Sequence, residues 1–574
     1  VIAILGILVL LAMWGYKGYV EKAKLVQIRH DVKAAEQLLA REYLAKDTSL
    51  PDNWVDTNPQ DSVNNIYDTR GPVNHDDVEP GNYKLFPKDE IGSKLPGDFH
   101  AKDDGKVYYE DKVSSGDSED DFYVEQPPLT EDEIADLIDE GFIPVATADE
   151  LQRINGLEDE NGDRIFEEAV WGAGTDYEGI YTGTLDSKYI QVKDIDLKSY
   201  ENWIPIGVNP GAPFAGEYNG GNYLIDNLNI IEKDIDVNSA GLFGSVSNGD
   251  VIISNIKMRN VNVDVNNSSM LIGDVGLNGE TTLSIMNIDI EGNISGSGYS
   301  GGLIGFIYGD EVGRIKNIRI KGDISSNDSS AGGLIGHNNQ IVDINKVSIT
   351  GNVTGYEGTG GLIGEYHPDN NRVSNISAIS INGNIKSIDN KAGGIIGGAT
   401  TAVNINNVDF RGSVEGKASA GGLIGQISAS NETTISSVVI NGNIIAIDES
   451  AGGIIGISTA QIDIFKDITI ENSNIKALDS GCSAGIIGKM SDQDIELLNI
   501  ELINNQIVGT NKVAGLIGDH KAQGNFENIN ITGSIIGVNV VAGLIAEPLG
   551  TDMYETTNIK VSANISGQTY VGMA

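Results

Sequence analysis

The chain has 574 residues, of which 38 are Lys or Arg and 82 are Asp or Glu, so its formal net charge is −44. This excess of acidic residues argues against a nucleic-acid partner, since phosphate binding requires clustered Lys and Arg side chains. Cys482 is the only cysteine, so no intrachain disulfide can form, and the thiol is expected to be a small buried hydrophobic group.

The first segment, residues 1–47, predicts one long helix. Val1 to Trp14 is an unbroken apolar run, and good helix formers with apolar residues at helical spacing continue it to Ala45. The apolar run is shorter than the ~20 residues needed to cross a bilayer. A signal peptide would show a cleavage site between Tyr16 and Lys24, where the helical pattern instead continues.

This helix resembles the N-terminal helix of type IV pilins and pseudopilins, on the runs VIAILGIL (1–8) and YVEKAK (19–24). The resemblance implies a helix that sits in the cytoplasmic membrane before assembly and then packs against other pilin subunits in a filament core. Pilins begin several residues earlier and carry an acidic residue soon after their start, so we expect this sequence to be truncated at its N-terminus. A generic single-pass anchor is the alternative.

Residues 48–126 predict a small β-rich domain, in keeping with a pilin head. Six prolines separate short apolar groups such as Tyr83 to Phe86 and Val107 to Tyr109. The acidic run SSGDSEDD (114–121) reads as a solvated loop, because it lacks the spaced oxygen ligands of a calcium loop.

Residues 127–193 predict a helical cap and a lead-in. Thr130 to Glu133 forms a capping box for a helix ending near Gly141, and Thr147 to Glu150 starts a second helix ending at Gly156. Two helices placed here would cover the open end of a following β-array. The triplet Asp159, Asn161 and Asp163 has calcium-loop spacing, but Arg164 stands where such a loop needs Gly, so a hairpin loop is favoured and no cofactor is expected.

Residues 194–574 are a repeat built on the run AGGLIG at 331–336. Close copies recur every 28 to 33 residues, and the sequence stops inside another copy at Val571 to Ala574, so we expect a truncation there as well. Between copies the apolar residues alternate with polar ones and show no helical period, while propeller blades need ~40 residues or more. A β-solenoid of about eleven coils remains.

Comparison of the copies separates the two glycines of the Gly-Gly pair. The first position becomes Ala at 240, 484, 514 and 542 and Val at 571, whereas the second is Gly except at Met270. The second position therefore needs either a positive φ or a close approach between coils, and Gly332→Ala in the first position should cost little. The Asn residues of the Gly-Asn turns could stack as ladders; they are Asn293, Asn352, Asn384 and Asn443.

The repeats resemble the GLUG motif family of large bacterial surface proteins, which includes the region outside the catalytic domain of IgA-cleaving metalloproteases. The lead-in resembles the first coil of such a domain through DIDL (194–197), WIPIG (203–207) and IDNL (225–228). The resemblance covers about residues 142–574 and implies an architecture but no activity. The chain has no HExxH motif, so protease chemistry does not carry over.

β-Solenoids also host glycan lyases and hydrolases, so a surface enzyme acting on extracellular polysaccharide is the alternative function. Its carboxylates and bases would have to gather on one face. The candidates are scattered along the chain, and each follows a glycine motif at an expected solvent-facing loop. Polar residues are common in such loops without any catalytic role, so no catalytic residue is assigned. They are Asp310, Glu311, Glu365, His367, Asp369, Asp519 and His520.

Together the patterns predict a mostly β chain, with a β-helix preceded by a long N-terminal α-helix and a small α+β head region. We expect a minor, possibly tip-located pilin-like subunit of a type IV pilus or related filament at the bacterial cell surface. It would display an adhesin for an unidentified host-surface, matrix or glycan ligand. Residues after the glycine motif vary most between coils, which makes Tyr308, Tyr366 and His367 the candidate binding residues, with structural filler as the alternative.

Overall fold

The computed structural model describes most of the chain from residue 122 onward, together with six strands between 56 and 110. The described ranges are 122–158, 164–207, 212–231, 239–247, 249–277, 282–309, 313–368, 373–429, 432–459, 462–491, 494–519, 524–546, 554–568 and 570–572. None of the helices within these ranges has the length and apolar character to cross a membrane. The helix predicted over residues 1–47 lies outside them.

The chain divides into two compact units, residues 1–118 and 119–574. The first unit contains a six-stranded antiparallel sheet with the spatial order first, fourth, fifth, sixth, second, third. Its strands are Asp56–Thr57, Ile66–Asp68, Gly71–Val73, Tyr83–Phe86, Asp98–Lys102 and Val107–Glu110.

Two short helices open the second unit. Helix α1, Glu131–Asp139, has the predicted capping box at Thr130, and α2, Ala148–Arg153, is capped by Thr147. Leu151 of α2 is fully buried in the same core as the first coil. Helix α2 therefore packs against the interior of the first coil. The strands around the helices are Ile143–Val145, Leu157–Glu158, Arg164–Ile165, Glu168–Trp171, Gly179–Thr182 and Lys188–Gln191.

The rest of the second unit is a β-solenoid of about eleven turns, in which each strand pairs in parallel with its counterpart one coil away. One coil contains a two-residue strand at the Gly-Gly pair, a four-residue strand beginning at the following Ile-Gly, a nine-residue strand and a three-residue strand. In the coil that carries AGGLIG these are Ala331–Gly332, Ile335–Asn338, Val342–Thr350 and Val353–Gly355.

Stacking the coils produces three parallel sheets, named here after their strands. The Gly-Gly sheet is Ser239–Ala240, Asn267–Ser269, Ser300–Gly301, Ala331–Gly332, Thr359–Gly360, Ala392–Gly393, Ala420–Gly421, Ala451–Gly452, Ser483–Ala484, Lys512–Ala514, Val540–Ala542 and Tyr570–Gly572. The Ile-Gly sheet is Phe243–Ser247, Ile272–Leu277, Ile304–Gly309, Ile335–Asn338, Ile363–Tyr366, Ile396–Ala399, Ile424–Ile427, Ile455–Ser458, Ile487–Met490 and Ile517–Asp519.

The long-strand sheet takes the remaining two strands of each coil, which fuse into one in some coils. It comprises Ile195–Asp196, Glu217–Asn219, Leu224–Asp226, Asn229–Ile231, Asp250–Asp264, Thr282–Gly296, Gly313–Lys321, Ile324–Ser326, Val342–Thr350, Val353–Gly355, Ser374–Asn382, Ile385–Ser387, Val403–Arg411, Val414–Gly416, Thr433–Asn441, Ile444–Ala446, Ile462–Glu471, Asn474–Ala477, Ile495–Val508, Gly524–Ile536 and Tyr554–Ser566. Alternate residues of these strands fill one continuous apolar core.

The second glycine of each pair is held by a close approach between coils. A Cβ on Gly333 would lie 2.0 Å from the carbonyl oxygen of Gly361, and the same contact recurs from Gly302 through Gly515. Positive φ, the other alternative, does not occur at Gly333. The first position is also restricted, because a Cβ on Gly332 would lie 1.9 Å from the oxygen of Ile335, so the expectation that Gly332→Ala is cheap is wrong for this coil.

Asparagine ladders run along the solenoid at two corners. At the Gly-Asn turn the predicted ladder forms in part: Asn384 Nδ2 donates to Asn352 Oδ1 at 3.0 Å, whereas Asp323 and Ser413 take the equivalent position in the coils on either side. A second ladder lies inside the long strands, where Asn317 Nδ2 donates to Asn287 Oδ1 and Asn287 Nδ2 to Asn255 Oδ1, each at 2.9 Å. These three residues have φ between 56° and 58°, a conformation that Asn tolerates well, and they bend the long strand.

Candidate ligand-binding site

The outward face of the Ile-Gly sheet brings unlike side chains into one file. Strand register places Phe306 beside His337 and His337 beside Glu365, one residue per coil. Neighbouring strands lie ~4.8 Å apart, so side chains at this position are in contact along the solenoid axis.

Five rings in this region form a continuous row, which we call the ring row. It consists of Tyr299, Phe306, Tyr308, His337 and His367. Ring centroids are 5.5 Å apart between Tyr308 and Phe306, 5.3 Å between Phe306 and His337, and 5.4 Å between His337 and His367. All five side chains are partly exposed. The row therefore offers a ligand ring edges and faces over three consecutive coils.

A charged group closes one end of the ring row. Glu365 Oε2 lies 2.6 Å from His367 Nε2, and Glu365 Oε1 lies 3.2 Å from Lys391 Nζ. Burial opposes ionisation of Glu365, but the hydrogen bond from His367 and the charge of Lys391 outweigh it and hold the pKa of Glu365 below its ordinary value. At neutral pH the site thus carries a fixed carboxylate, with one ammonium group beside it.

His337 is held neutral in the middle of the row. Burial lowers its pKa to about 4, and His367 and Lys391 act in the same direction, although the Asn339 side chain, 2.8 Å from His337 Nε2, and the Glu365 carboxylate act in the opposite direction. His337 Nδ1 is buried and has no hydrogen-bond partner among the described residues. The ring can therefore act as a flat, uncharged contact surface at neutral pH.

Two of the three sequence-predicted binding residues belong to this row. Tyr308 and His367 belong to the same row, with Phe306 and His337 lying between them. Tyr366 is not part of it, because its ring is fully buried in the solenoid core and its hydroxyl lies 2.8 Å from Ser374 Oγ. Burial raises the pKa of Tyr366 to about 12. The expectation that Tyr366 offers an aromatic face on an exposed loop is wrong.

The other residues of the site were missed in the sequence: Tyr299, Phe306, His337 and Lys391. Tyr299 and Lys391 precede the Gly-Gly strand, whereas Phe306 and Glu365 follow it, and the turn at the glycines folds these positions against each other. Aligning the copies on the glycine motif would have placed Phe306, His337 and Glu365 in one column.

Only two of the candidate catalytic residues lie close together in the described part of the structure. Glu365 and His367 are adjacent, while Asp519 stands five coils further along the same sheet and pairs with Lys512 at 2.9 Å. The others lie outside the described residues: Asp310, Glu311, Asp369 and His520. Cys482 is free and buried, and burial raises the pKa of its thiol, in keeping with the expected hydrophobic role.

The metal-ligand candidates Asp159, Asn161 and Asp163, for which a hairpin loop was the favoured interpretation, and the acidic run at 114–121 also fall outside the described part of the chain. Within the described part, no three His, Cys, Asp or Glu side chains are grouped so that they could hold a metal ion.

Comparison with known proteins adds little to this geometry. No family model matches the chain, and no curated protein matches it. Among solved structures, the crystal structure of a candidate immunoglobulin A1 protease from Bacteroides ovatus aligns with 61% of this chain and 78% of its own chain. Its TM-score is 0.30 and its sequence identity is 14%, values too low to carry an argument.

Proposed function

We propose that this chain is a surface-displayed binding protein whose solenoid carries a glycan site at the ring row. The observation that supports the proposal is the unbroken series of partly exposed rings from Tyr308 to His367, with the Glu365 carboxylate and the Lys391 ammonium at its end. Flat ring faces suit the apolar face of a sugar, and a few fixed polar groups suit its hydroxyls.

Binding to arrays of glycans and extracellular matrix proteins tests this role. Tyr308→Ala and His367→Ala should each weaken binding to the selected glycan by about tenfold, a loss of ~1.4 kcal/mol. Tyr356→Ala is the matched control, because Tyr356 is also exposed, at 39%, but lies outside the ring row. Unchanged binding in both ring-row variants would overturn the site, and release of a cleaved product would replace the binding role by the enzymatic alternative.

We further propose that residues 1–47 anchor this solenoid as a pilin-type helix. The apolar run from Val1 to Trp14 and its amphipathic continuation support that role. On this proposal the chain is a minor subunit of a type IV pilus or related filament and is held in the cytoplasmic membrane before assembly. Leu8→Lys should remove the chain from both the membrane and the sheared-filament fractions, whereas Lys24→Arg should not. Filament incorporation of Leu8→Lys would contradict the proposal.

A further inference from the structure

One corner of the solenoid carries large apolar side chains in solvent. The residue that follows the short strand of the long-strand sheet occupies the same position in five consecutive coils, and we call this file the corner ridge: Tyr356, Ile388, Lys417, Ile447 and Leu478. The register is fixed by the backbone, since the amides of Ile388 and Leu478 donate to the coil before at 2.9 Å.

The apolar members of the ridge are unusually exposed for their size. Their relative exposure is 39% for Tyr356, 47% for Ile388, 37% for Ile447 and 44% for Leu478. At ~4.8 Å per coil the ridge extends over ~19 Å. Lys417 leaves the apolar surface of the ridge largely continuous, because the methylene groups of a lysine side chain are apolar and only its terminal ammonium group is charged. Aligned apolar side chains on a solvent-exposed surface mark an interaction site more often than isolated apolar side chains do.

A file of carboxylates runs beside the ridge, at the next position in the chain. Its members are exposed, and they are Glu357, Asp389, Asp448 and Asp479. Asp389 pairs with Lys417 at 2.5 Å, and among the described residues Glu357, Asp448 and Asp479 form no ion pair. The ridge therefore combines an apolar strip with a parallel strip of negative charge.

We propose that the corner ridge is the docking surface for a cationic amphipathic segment of a partner polypeptide. Such a segment matches both strips, because its apolar side chains cover the ridge while its Lys or Arg side chains meet the carboxylates. A helix of ~13 residues would span the ~19 Å of the ridge at 1.5 Å per residue. A second copy of this chain is a poor occupant, because its net charge of −44 would place like charges together.

The docking surface does not depend on the proposed glycan site, since the two share no residue. The test uses the full chain and a fluorescein-labelled 14-residue helix-forming peptide of Leu and Lys, followed by anisotropy. Ile388→Ser combined with Leu478→Ser should raise the Kd at least tenfold. Val439→Ser is the matched control, because Val439 is 40% exposed on a long strand, Thr433–Asn441, away from the ridge. It should leave the Kd unchanged.

The charged strip is tested separately with Asp448→Asn combined with Asp479→Asn. This variant should weaken the dependence of binding on salt, whereas Asp264→Asn, at an exposed carboxylate elsewhere, should not. Equal binding by the ridge variant and the wild type would overturn the proposal. It would also be overturned if a Lys/Ser peptide of equal charge bound as tightly as the Leu/Lys peptide, or if sedimentation showed a dimer that Ile388→Ser abolished.

Discussion

At the scale of single residues, backbone contact between coils explains why the glycine motif is so regular. The second glycine of the pair is blocked by the neighbouring coil, because its absent Cβ would meet the carbonyl of that coil. Ala occupies the first position in three successive coils, where Ala484, Ala514 and Ala542 pack together. It also occurs at Ala240, whose partner in the next coil is Ser268, so an alanine is accommodated there without an alanine beside it.

Substitution of the two glycines of one coil is therefore expected to destabilise the fold to different extents. Gly333→Ala should lower the free energy of unfolding by more than about 2 kcal/mol, because the Gly361 carbonyl it would meet is fixed in the neighbouring coil. Gly332→Ala should cost less, since the Ile335 carbonyl nearest to its Cβ belongs to its own turn and the neighbouring coil approaches less closely, with the Gly364 nitrogen at 2.8 Å. Urea denaturation of both variants checks the order, and a larger loss in Gly332→Ala would contradict it.

His337 predicts a specific response to acid. Its pKa in the folded chain is about 4, below the ordinary value of 6.5, so between these values the unfolded chain binds a proton that the folded chain does not. The contribution of His337 to stability is therefore present at pH 7 and is lost as the pH falls towards 4, by up to about 3 kcal/mol.

His337→Phe keeps a flat ring and removes this titration. Its stability relative to the wild type should improve steadily from pH 7 to pH 4.5, as measured by urea unfolding at each pH. Tyr299→Phe, a ring substitution in the same row, should show no such trend, because burial raises the pKa of Tyr299 above its ordinary value and away from this range. A stability difference between His337→Phe and the wild type that is independent of pH would refute the assignment.

The burial of Tyr366 was foreseeable from its position in the strand. Tyr366 pairs in register with Asn338 and Ala399, and all three are buried. The equivalent residues Ile307 and Ile427 are apolar, so an alignment of the copies would have indicated an inward side chain. The residues one place earlier, Glu365 among them, are the outward ones. The strand pattern was predictable, whereas the ring row depends on register between coils, which no single copy specifies.

At the scale of elements, the bend inside each long strand follows a column of residues with positive φ. Asparagine repeats in that column at 255, 287, 317, 407, 499, 528 and 558, and the break in alternation near Asn345 and Lys346 marks the same place. The sequence thus contained the signal for this corner. The sequence did not indicate that a segment earlier in the chain binds at this corner.

That segment, residues 122–126, lies against the outside of the long-strand sheet. The Asn317 side chain accepts from the Val124 amide at 2.7 Å and donates to the Val124 carbonyl at 2.8 Å. Tyr123 is 5% exposed and lies beneath the Arg319 guanidinium, whose carbon is 4.5 Å from the ring centroid. Arg319 in turn shares the buried carboxylate of Asp289 with Arg259.

Asn317→Ala should release this segment, because it removes both hydrogen bonds to Val124. Chymotrypsin cleavage after Tyr123 should accelerate by at least tenfold. Asn528→Ala is the matched control, since Asn528 occupies the same corner of a distant coil with φ of 55° and belongs to the same kind of ladder. Equal acceleration in both variants would show that ladder loss, and not the lost attachment, is responsible.

At the scale of the whole second unit, the coils form a one-dimensional stack. Each coil pairs with the one before and the one after, so stability is the sum of local terms and of contacts between neighbours. The repeat made this architecture predictable from its period together with the strand-like alternation of apolar and polar residues within each copy. The starts of α1 and α2 were predictable too, because both helices begin at the capping signals read in the sequence.

A defect at the cap should therefore stay near the cap. Leu151→Ser places a hydroxyl and a cavity in the fully buried contact between α2 and the first coil, at a cost of about 3 kcal/mol. Hydrogen exchange should speed up in the strand Leu224–Asp226 and remain unchanged in Ile495–Val508. Leu502→Ser, an equally buried change within Ile495–Val508, should give the reverse pattern. If either variant accelerated exchange equally in both strands, the unit would unfold as a single cooperative body and the one-dimensional description would fail.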